Sequence, residues 1–383
     1  MVEEQVCTQT QDLDAASLRV KVISAADEFN SIRSHWDSLI CRAGVVHPFL
    51  SHTWLRTWWE AFGRGSELYV VTVWAEADLL AAAPMQRTRA RFYGVPADAI
   101  TSICNPHTPR FDFILAADAP REILCELIWS HLSDAGCDVV VLQQVPAESS
   151  TLTSIQQFAQ DDQWDAGWWA ARPSPYVPLG CTHSDVLDRT TDSHRYNLRK
   201  RYERLSKLGL VDIEVITDRA AALDAMKDGL RIEAAAWKGN EGTAILSDPG
   251  VTAFYTRLAE REAELGDLRL YFLRVGGKRI SFSYILRSGD TLYAVKIGYD
   301  PEYHAYSPGH MLLNLVLKEA CANGYREYDF LGADDEWKFD WTTESRAHQW
   351  LFLFANRWRP RLLHRLKFSV FPKIKQYLSR HRS

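Results

Sequence analysis

Residues 268–331 read LRLYFLRVGGKRISFSYILRSGDTLYAVKIGYDPEYHAYSPGHMLLNLVLKEACANGYREYDFL. Three runs rich in β-branched and aromatic residues, 268–275, 279–287 and 291–299, are parted by the turns GGK and SGD, which predicts an antiparallel meander. After the loop DPEYHAY, apolar positions 311, 312, 315, 316 and 320 form one helical stripe that stops at Asn323–Gly324. YREYDFL then returns as a strand. Ser307 suits the N-cap of that helix and Pro308 its first position, but Gly309 is a poor helix former with no side chain to pack. Gly309, His310 and Met311 keep their N–H groups at the positive end of the helix dipole, and Gly309 lets a bulky anion reach the backbone. A pyrophosphate is therefore expected on Ser307, Gly309, His310 and Met311.

Upstream, residues 211–217 read as a strand, 219–239 as a helix, and 249–265 as another helix begun by Asp248–Pro249. A basic helix spans 193–208. Prolines 173, 175 and 178 mark ARPSPYVPLG as a connecting segment. The first half is mixed α/β. It has a strand at 18–24, amphipathic helical stretches, a hairpin whose second run ends at Pro84, a helix stopped by Gly136 and a buried strand at 137–145. The polar, proline-bearing loop NPHTPRFD (105–112) reads as an ordinary loop, with a place in a cleft wall as the alternative.

The chain has 383 residues, 46% of them hydrophobic, a globular composition long enough for two domains. The N-terminus MVEEQVCTQTQDLDAASL lacks a basic and an apolar signal region, and no apolar run approaches membrane-spanning length, so a cytoplasmic protein is expected. Seven cysteines without a CxxC pair are expected to be reduced. GGKR at 276–279 is a hairpin turn and no P-loop. HExxH, GxSxG, Cys/His metal spacings and a GxGxxG after a strand are all missing, so no metal is expected.

Strand, strand, strand, helix, strand is the core order of the Gcn5-related N-acetyltransferase fold. YSPGHMLL, GYREYDFLG (324–332) and Trp337–Lys338, with EAAAWKGNEGTA (233–244) and HPFLSHTWLRTWW (47–59), resemble the CelD/BcsL-type acetyltransferases of that superfamily, relatives of the FemABX transferases. Some bacterial ceramide synthases belong to this group. The resemblance covers roughly residues 45 to 355. It implies an α/β (α+β) fold of two tandem Gcn5-like (GNAT) domains, 1–180 and 181–356, each a mixed, mostly antiparallel sheet flanked by helices. Acyl-CoA is the implied co-substrate, held by the second domain. The Gln/Arg-x-x-Gly-x-Gly/Ala phosphate loop of single-domain members is replaced here by Ser-Pro-Gly-His.

Acyl transfer to an amine needs a base and an oxyanion stabiliser. The position of Lys338 resembles that of a functionally important lysine in FemABX proteins, and its cation suits an oxyanion or a phosphate. Glu233, one helical turn before Trp237, is a candidate base if indole raises its pKa. His304 is a second candidate base, with Tyr303 beside it; Trp237, Tyr303 and Asp329 are candidate substrate contacts, Asp329 leaning structural. Each also has an ordinary surface or structural reading.

The net charge of −5 hides an asymmetry. From Arg357 to Ser383 there are nine Lys/Arg and no acid, leaving −14 on the rest. With apolar residues at 362, 363, 366, 370, 374, 377 and 378, this tail (357–383) reads as a basic amphipathic helix that lies on anionic lipid or packs on the acidic body. The basic helix reads either as a phosphate-recognition face or as a solvated one. The first functional expectation is an acyl-CoA-dependent N-acyltransferase acting on a lipid amine or an envelope component at the inner membrane face, with nucleic acid not expected as partner. The rivals are a FemABX-like aminoacyl transferase using charged tRNA, and a polysaccharide-biosynthesis acetyltransferase or scaffold.

Overall fold

The computed structural model describes residues 17–92, 94–235 and 245–372. The first half runs β1 (Leu18–Ile23), α1 (Ala26–Ser31), α2 (Arg33–Arg42), α3 (His52–Phe62), β2 (Glu67–Ala75), β3 (Asp78–Phe92), β4 (Val95–Ser102) and β5 (Ile114–Leu115). It continues through α4 (Arg121–Ser133), β6 (Val139–Pro146), α5 (Ser150–Asp161) and β7 (Asp165–Ala170). Next come β8 (Ser174–Pro178), α6 (His183–Asp188), α7 (Asp192–Ser206), β9 (Val211–Ile216), α8 (Arg219–Ala235) and α9 (Pro249–Leu265). The chain ends in β10 (Leu268–Val275), β11 (Lys278–Ser288), β12 (Thr291–Tyr299), α10 (Pro308–Ala322), β13 (Glu327–Asp329), β14 (Ser345–Arg346), β15 (His348–Phe354) and α11 (Trp358–Arg365).

One plan is used twice. β1 lies antiparallel on β2, β2–β4 form a meander, and after α4 the strand β6 returns parallel to β4. In the second half β9 lies antiparallel on β10, β10–β12 form the predicted meander, and after α10 the strand β13 returns parallel to β12. The result is two mixed, mostly antiparallel sheets flanked by helices, as the sequence predicted. Local chemistry explains the boundaries. Asp248 caps α9 by accepting from the N–H groups of Gly250 and Val251, Gly266 ends it in the left-handed region, and Gly276–Gly277 supply the positive φ of the β10–β11 turn.

The halves exchange strands. β8, which follows the first sheet's outermost strand β7, lies in the second sheet between β13 and β14. β15, at the end of the second half, lies in the first sheet between β6 and β7. The proline-rich stretch read as a connector is therefore a strand. Its residues pair with β13 over 176–178 and with β14 over 174–175, so each has a partner on one side and a proline can turn its missing donor away. Likewise β3 does not stop at Pro84 but runs on to Phe92. Pro84 falls in the gap between the β5 pairing at 81–82 and the β4 pairing from 85 onward.

At the seam, Asp329 is wholly buried. It accepts from Arg110 (2.9 Å), Ser174 Oγ (3.3 Å) and the Leu331 N–H (2.8 Å), with Arg346 at 3.3 Å. Four segments from both halves are thus tied to one carboxylate. α11 packs one face on the first sheet, where Leu363 is buried and the Phe368 ring lies on Gly167, whose place any Cβ would contest.

Candidate active site

β12 and β13 pair only over Thr291–Tyr293 and Glu327–Asp329. Beyond that the chain turns aside at Leu331 and Gly332, both at positive φ, while β12 runs on to Tyr299 with a bulge at Val295. The strands part, and the gap opens into a cavity of about 1130 Å³. One wall comes from residues 281–283 of β11, 294–299 of β12, the start of α10 and the loop 330–338; the opposite wall comes from the first half's 104–109, Gln143, Gln144 and 169–172, with His348 and Trp350 of β15.

The cavity meets the start of α10. Ser307 does not cap it through its hydroxyl: the preceding 3-10 turn Pro301–Tyr306 delivers the chain in the left-handed region (φ 48°), and no side-chain cap forms. The Met311 N–H donates to Ser307 O, and Met311 is buried in the core rather than in the cavity wall, so its amide is no anion donor. Among the described residues the Gly309 and His310 N–H groups have no acceptor. A Cβ at Gly309 would meet only Tyr299 Cδ1, at 4.0 Å, so the backbone is open to an approaching anion. Ser307, Gly309 and His310 all line the cavity.

The imidazole of His310 is held at about 4 by burial and the neighbouring His194, so it is neutral near pH 7. Trp341 Nε1 donates to its Nδ1 (3.1 Å), which places the ring proton on Nε2. Behind the cavity lining, His194 and Asp340 have polar atoms within 4.8 Å of those of His310.

Lys338 is buried in the cavity wall. Its ammonium donates to Leu331 O (2.9 Å) and Ala333 O (2.5 Å) and pairs with Asp335 (3.0 Å), while burial lowers its pKa. All three ammonium protons are engaged, so the ammonium ties the loop 331–335 together and has no proton left over for a further acceptor. His304 lines the cavity from the 3-10 turn, its Nδ1 3.2 Å from Tyr299 Oη. Four candidates lie outside the lining. Glu233 is buried behind β12, accepting from the Ile245 N–H (3.0 Å); Asp329 is the seam; Tyr303 faces Lys278, whose ammonium is 4.9 Å from its ring centre; Met311 is core. Trp237 lies outside the described residues.

On the facing wall, the sequence preferred an ordinary loop for 105–112 over a place in a cleft wall, and the second of these holds. NPHTPRFD is no bystander loop: residues 105–109 line the cavity, and Arg110 reaches Asp329 and donates to His348 (3.3 Å). His107 Nδ1 is 3.2 Å from Tyr255 Oη, and burial with nearby Lys296 holds its pKa at about 4. His348 is held near the same value by burial and Arg110. The loop's polarity between apolar runs was a usable signal for His107; the exchanged strand gave none for His348. In the basic helix α7, Leu198 and Leu205 are buried and Arg204 lies over Tyr306 at the α10 entrance, its guanidinium carbon 5.2 Å from the ring centre.

Residues 192–339 match the acetyltransferase (GNAT) domain family, whose members use acyl-CoA as co-substrate. A search of curated proteins found no match. Among solved structures the fold is similar to FemX, at 13% identity and a TM-score of 0.56 over 91% of this chain and 99% of that one. It is also similar to the C-terminal DUF2156 domain of a protein described as a lysylphosphatidylglycerol synthetase from Agrobacterium fabrum, at 10% identity and 0.51 over 89% and 95%. A conserved protein of unknown function from Bacteroides thetaiotaomicron follows at 12% and 0.50 over 88% and 100%. The region 192–339, with its meander, parted strands and open α10 start, is similar to a GNAT acetyltransferase domain, and the first half repeats the same strand–strand–strand–helix–strand plan.

Proposed function

We propose that this protein is an acyl-CoA-dependent N-acyltransferase. The observation that carries the reading is the open start of α10, with the Gly309 and His310 amides beside the gap between β12 and β13. The amides suit the donor's pyrophosphate, and the gap suits an extended acyl-bearing arm alongside residues 294–299. The amine enters from the first-half wall. Its nitrogen bonds to the thioester carbon, the C–S bond breaks, and the amine proton leaves through a ring nitrogen of His107, kept neutral by burial. Residues 1–180 and 181–356 are taken as the two units of the duplicated plan, with 357–383 appended.

The acceptor is proposed to be an amine with an apolar body, a long-chain lipid amine or a cell-envelope component. Supporting this are Trp169, Trp350, Phe330 and Trp337 in the cavity lining. Incubation with a panel of acyl-CoAs and amines, read by thiol release and product mass, tests the reading. Transfer that required charged tRNA would replace it with an aminoacyl transferase, and absence of acyl-CoA binding by calorimetry would leave a scaffold.

A further inference from the structure

Among the described residues no helix is long and apolar enough to cross a membrane. Yet α11 and the π-helical turn after it (Leu366–Val370) present apolar side chains to solvent. Trp358 is 79% exposed, Leu362 48% and Val370 41%. Trp358 and Leu362 are one helical turn apart, and Leu366 continues their line, so they share a face turned away from buried Pro360, Leu363 and Lys367. Arg361 and Arg365 flank that stripe on one side and Arg359 on the other. Arg357 fastens the segment to the body through Asp138 and the Cys137 carbonyl, so the stripe is held at a fixed height. Arg359 bonds the Pro96 carbonyl and Arg361 lies 3.8 Å from Asp165, contacts that leave both guanidinium groups at the surface.

The same segment reaches the cavity. Lys367 is buried with its ammonium 4.0 Å from the Trp169 ring centre and 4.3 Å from that of Phe352. Trp169 itself lines the cavity and is 53% exposed. The exposed stripe and the first-half lip of the cavity are therefore joined through one side-chain contact.

We propose that the face formed by Trp358, Leu362 and Val370, with Arg359, Arg361 and Arg365, docks on an anionic lipid bilayer and brings the Trp169 lip toward it. Two features select a bilayer over another protein. The stripe is narrow and amphipathic, with an indole at one end, the arrangement that lies in a headgroup region. The tail carries nine basic and no acidic residues, and beside the stripe Arg359 and Arg365 have no carboxylate partner among the described residues, so the face itself offers positive charge to an anionic surface. Docking does not depend on the acyl-transfer reading; only the orientation of the lip does.

The test is co-sedimentation of the full chain with vesicles of phosphatidylcholine alone and of phosphatidylcholine with phosphatidylglycerol, at low and high salt, without any acyl donor. Binding to the anionic vesicles, lost at high salt and accompanied by a blue shift of tryptophan emission, is expected. The double variant Trp358→Ser/Leu362→Ser should partition about tenfold or more weakly, since both side chains leave water only on docking. Its melting temperature should stay unchanged, because neither side chain is in the core. A parent that stays in the supernatant with anionic vesicles overturns the proposal, as does a double variant that sediments like its parent. A concentration-dependent dimer that dissolves in the double variant, with no lipid binding, would assign the face to a second copy instead.

Discussion

Replacing Gly309 by valine should separate donor binding from folding. The backbone there is helical, and an added Cβ meets nothing closer than Tyr299 Cδ1 at 4.0 Å, so a β-carbon is accommodated in the free protein. Glycine is also a poor helix former, so the variant should melt at or slightly above the parent's temperature. Its branched methyl groups, however, occupy the space through which a phosphate oxygen reaches the Gly309 and His310 N–H groups. A hydrogen bond to a charged oxygen contributes about 1.5–3 kcal/mol, so losing two costs about 3–6 kcal/mol before the flexible pyrophosphate readjusts. If readjustment recovers half of that, the remaining cost of about 1.5–3 kcal/mol still weakens donor affinity about 10- to 150-fold. Gly309→Ala, with one methyl, should fall between, near tenfold. Calorimetric titration with acyl-CoA beside a thermal melt reads both quantities. A valine variant that binds within threefold of the parent, with its melt unchanged, would show that the phosphate does not sit at this helix start.

Lys338→Met strips the Leu331 and Ala333 carbonyls of their shared donor and removes a cavity charge. Turnover should fall about 100-fold with donor affinity within threefold, and parental steady-state kinetics would end its proposed role. Arg110→Met leaves the wholly buried Asp329 without its closest cation and should cost about 3–5 kcal/mol in urea unfolding; a loss below about 1 kcal/mol would mean that Arg346 alone suffices. Glu262 is buried and its pKa is raised from 4.5 to about 8, chiefly by burial and then by Asp267. Its contribution is full below pH 4.5, erodes as the unfolded carboxyl ionises while the folded one stays protonated, and levels off above about pH 8. Glu262→Gln should therefore gain on the parent between pH 5 and 8.5, by on the order of 4 kcal/mol. An equal stability difference at both pH values would refute the assignment.

What the sequence discloses here is local. The β10–β12 meander and α10 follow from a switch of apolar period from two to 3.6 within one continuous stretch, bounded by Gly-containing turns, and such signals are complete within a dozen residues. The α10 start was legible for Gly309 because its lack of a side chain needs no partner to explain it. Ser307 was misread because its backbone is set by the 3-10 turn before it, which overrides the residue's own capping preference. The facing wall was mostly hidden for a different reason. His348 joins the cavity lining only once β15 has crossed to the other sheet, and its contact with Arg110 spans 238 residues of chain. Glu233 looked like a cleft carboxylate from its helical spacing to Trp237, but spacing does not say which side of a sheet a helix covers, and α8 packs Glu233 behind β12.

The exchange of β8 and β15 has a consequence for the order of synthesis. A ribosome that has released the first 180 residues has made every helix of the first half, but its sheet still has an unfilled slot between β6 and β7. The strand that fills it is made only after every strand of the second sheet. Until then the nascent chain holds two open hydrogen-bonding edges, flanked by Leu142, Val140 and Trp168, that invite pairing with a neighbouring chain. Synthesis halted before residue 348 should thus yield aggregating rather than half-sized native protein, and overexpression should favour swapped dimers in which one chain's β15 completes another's sheet. The two halves, although built alike, are born as a single cooperative unit.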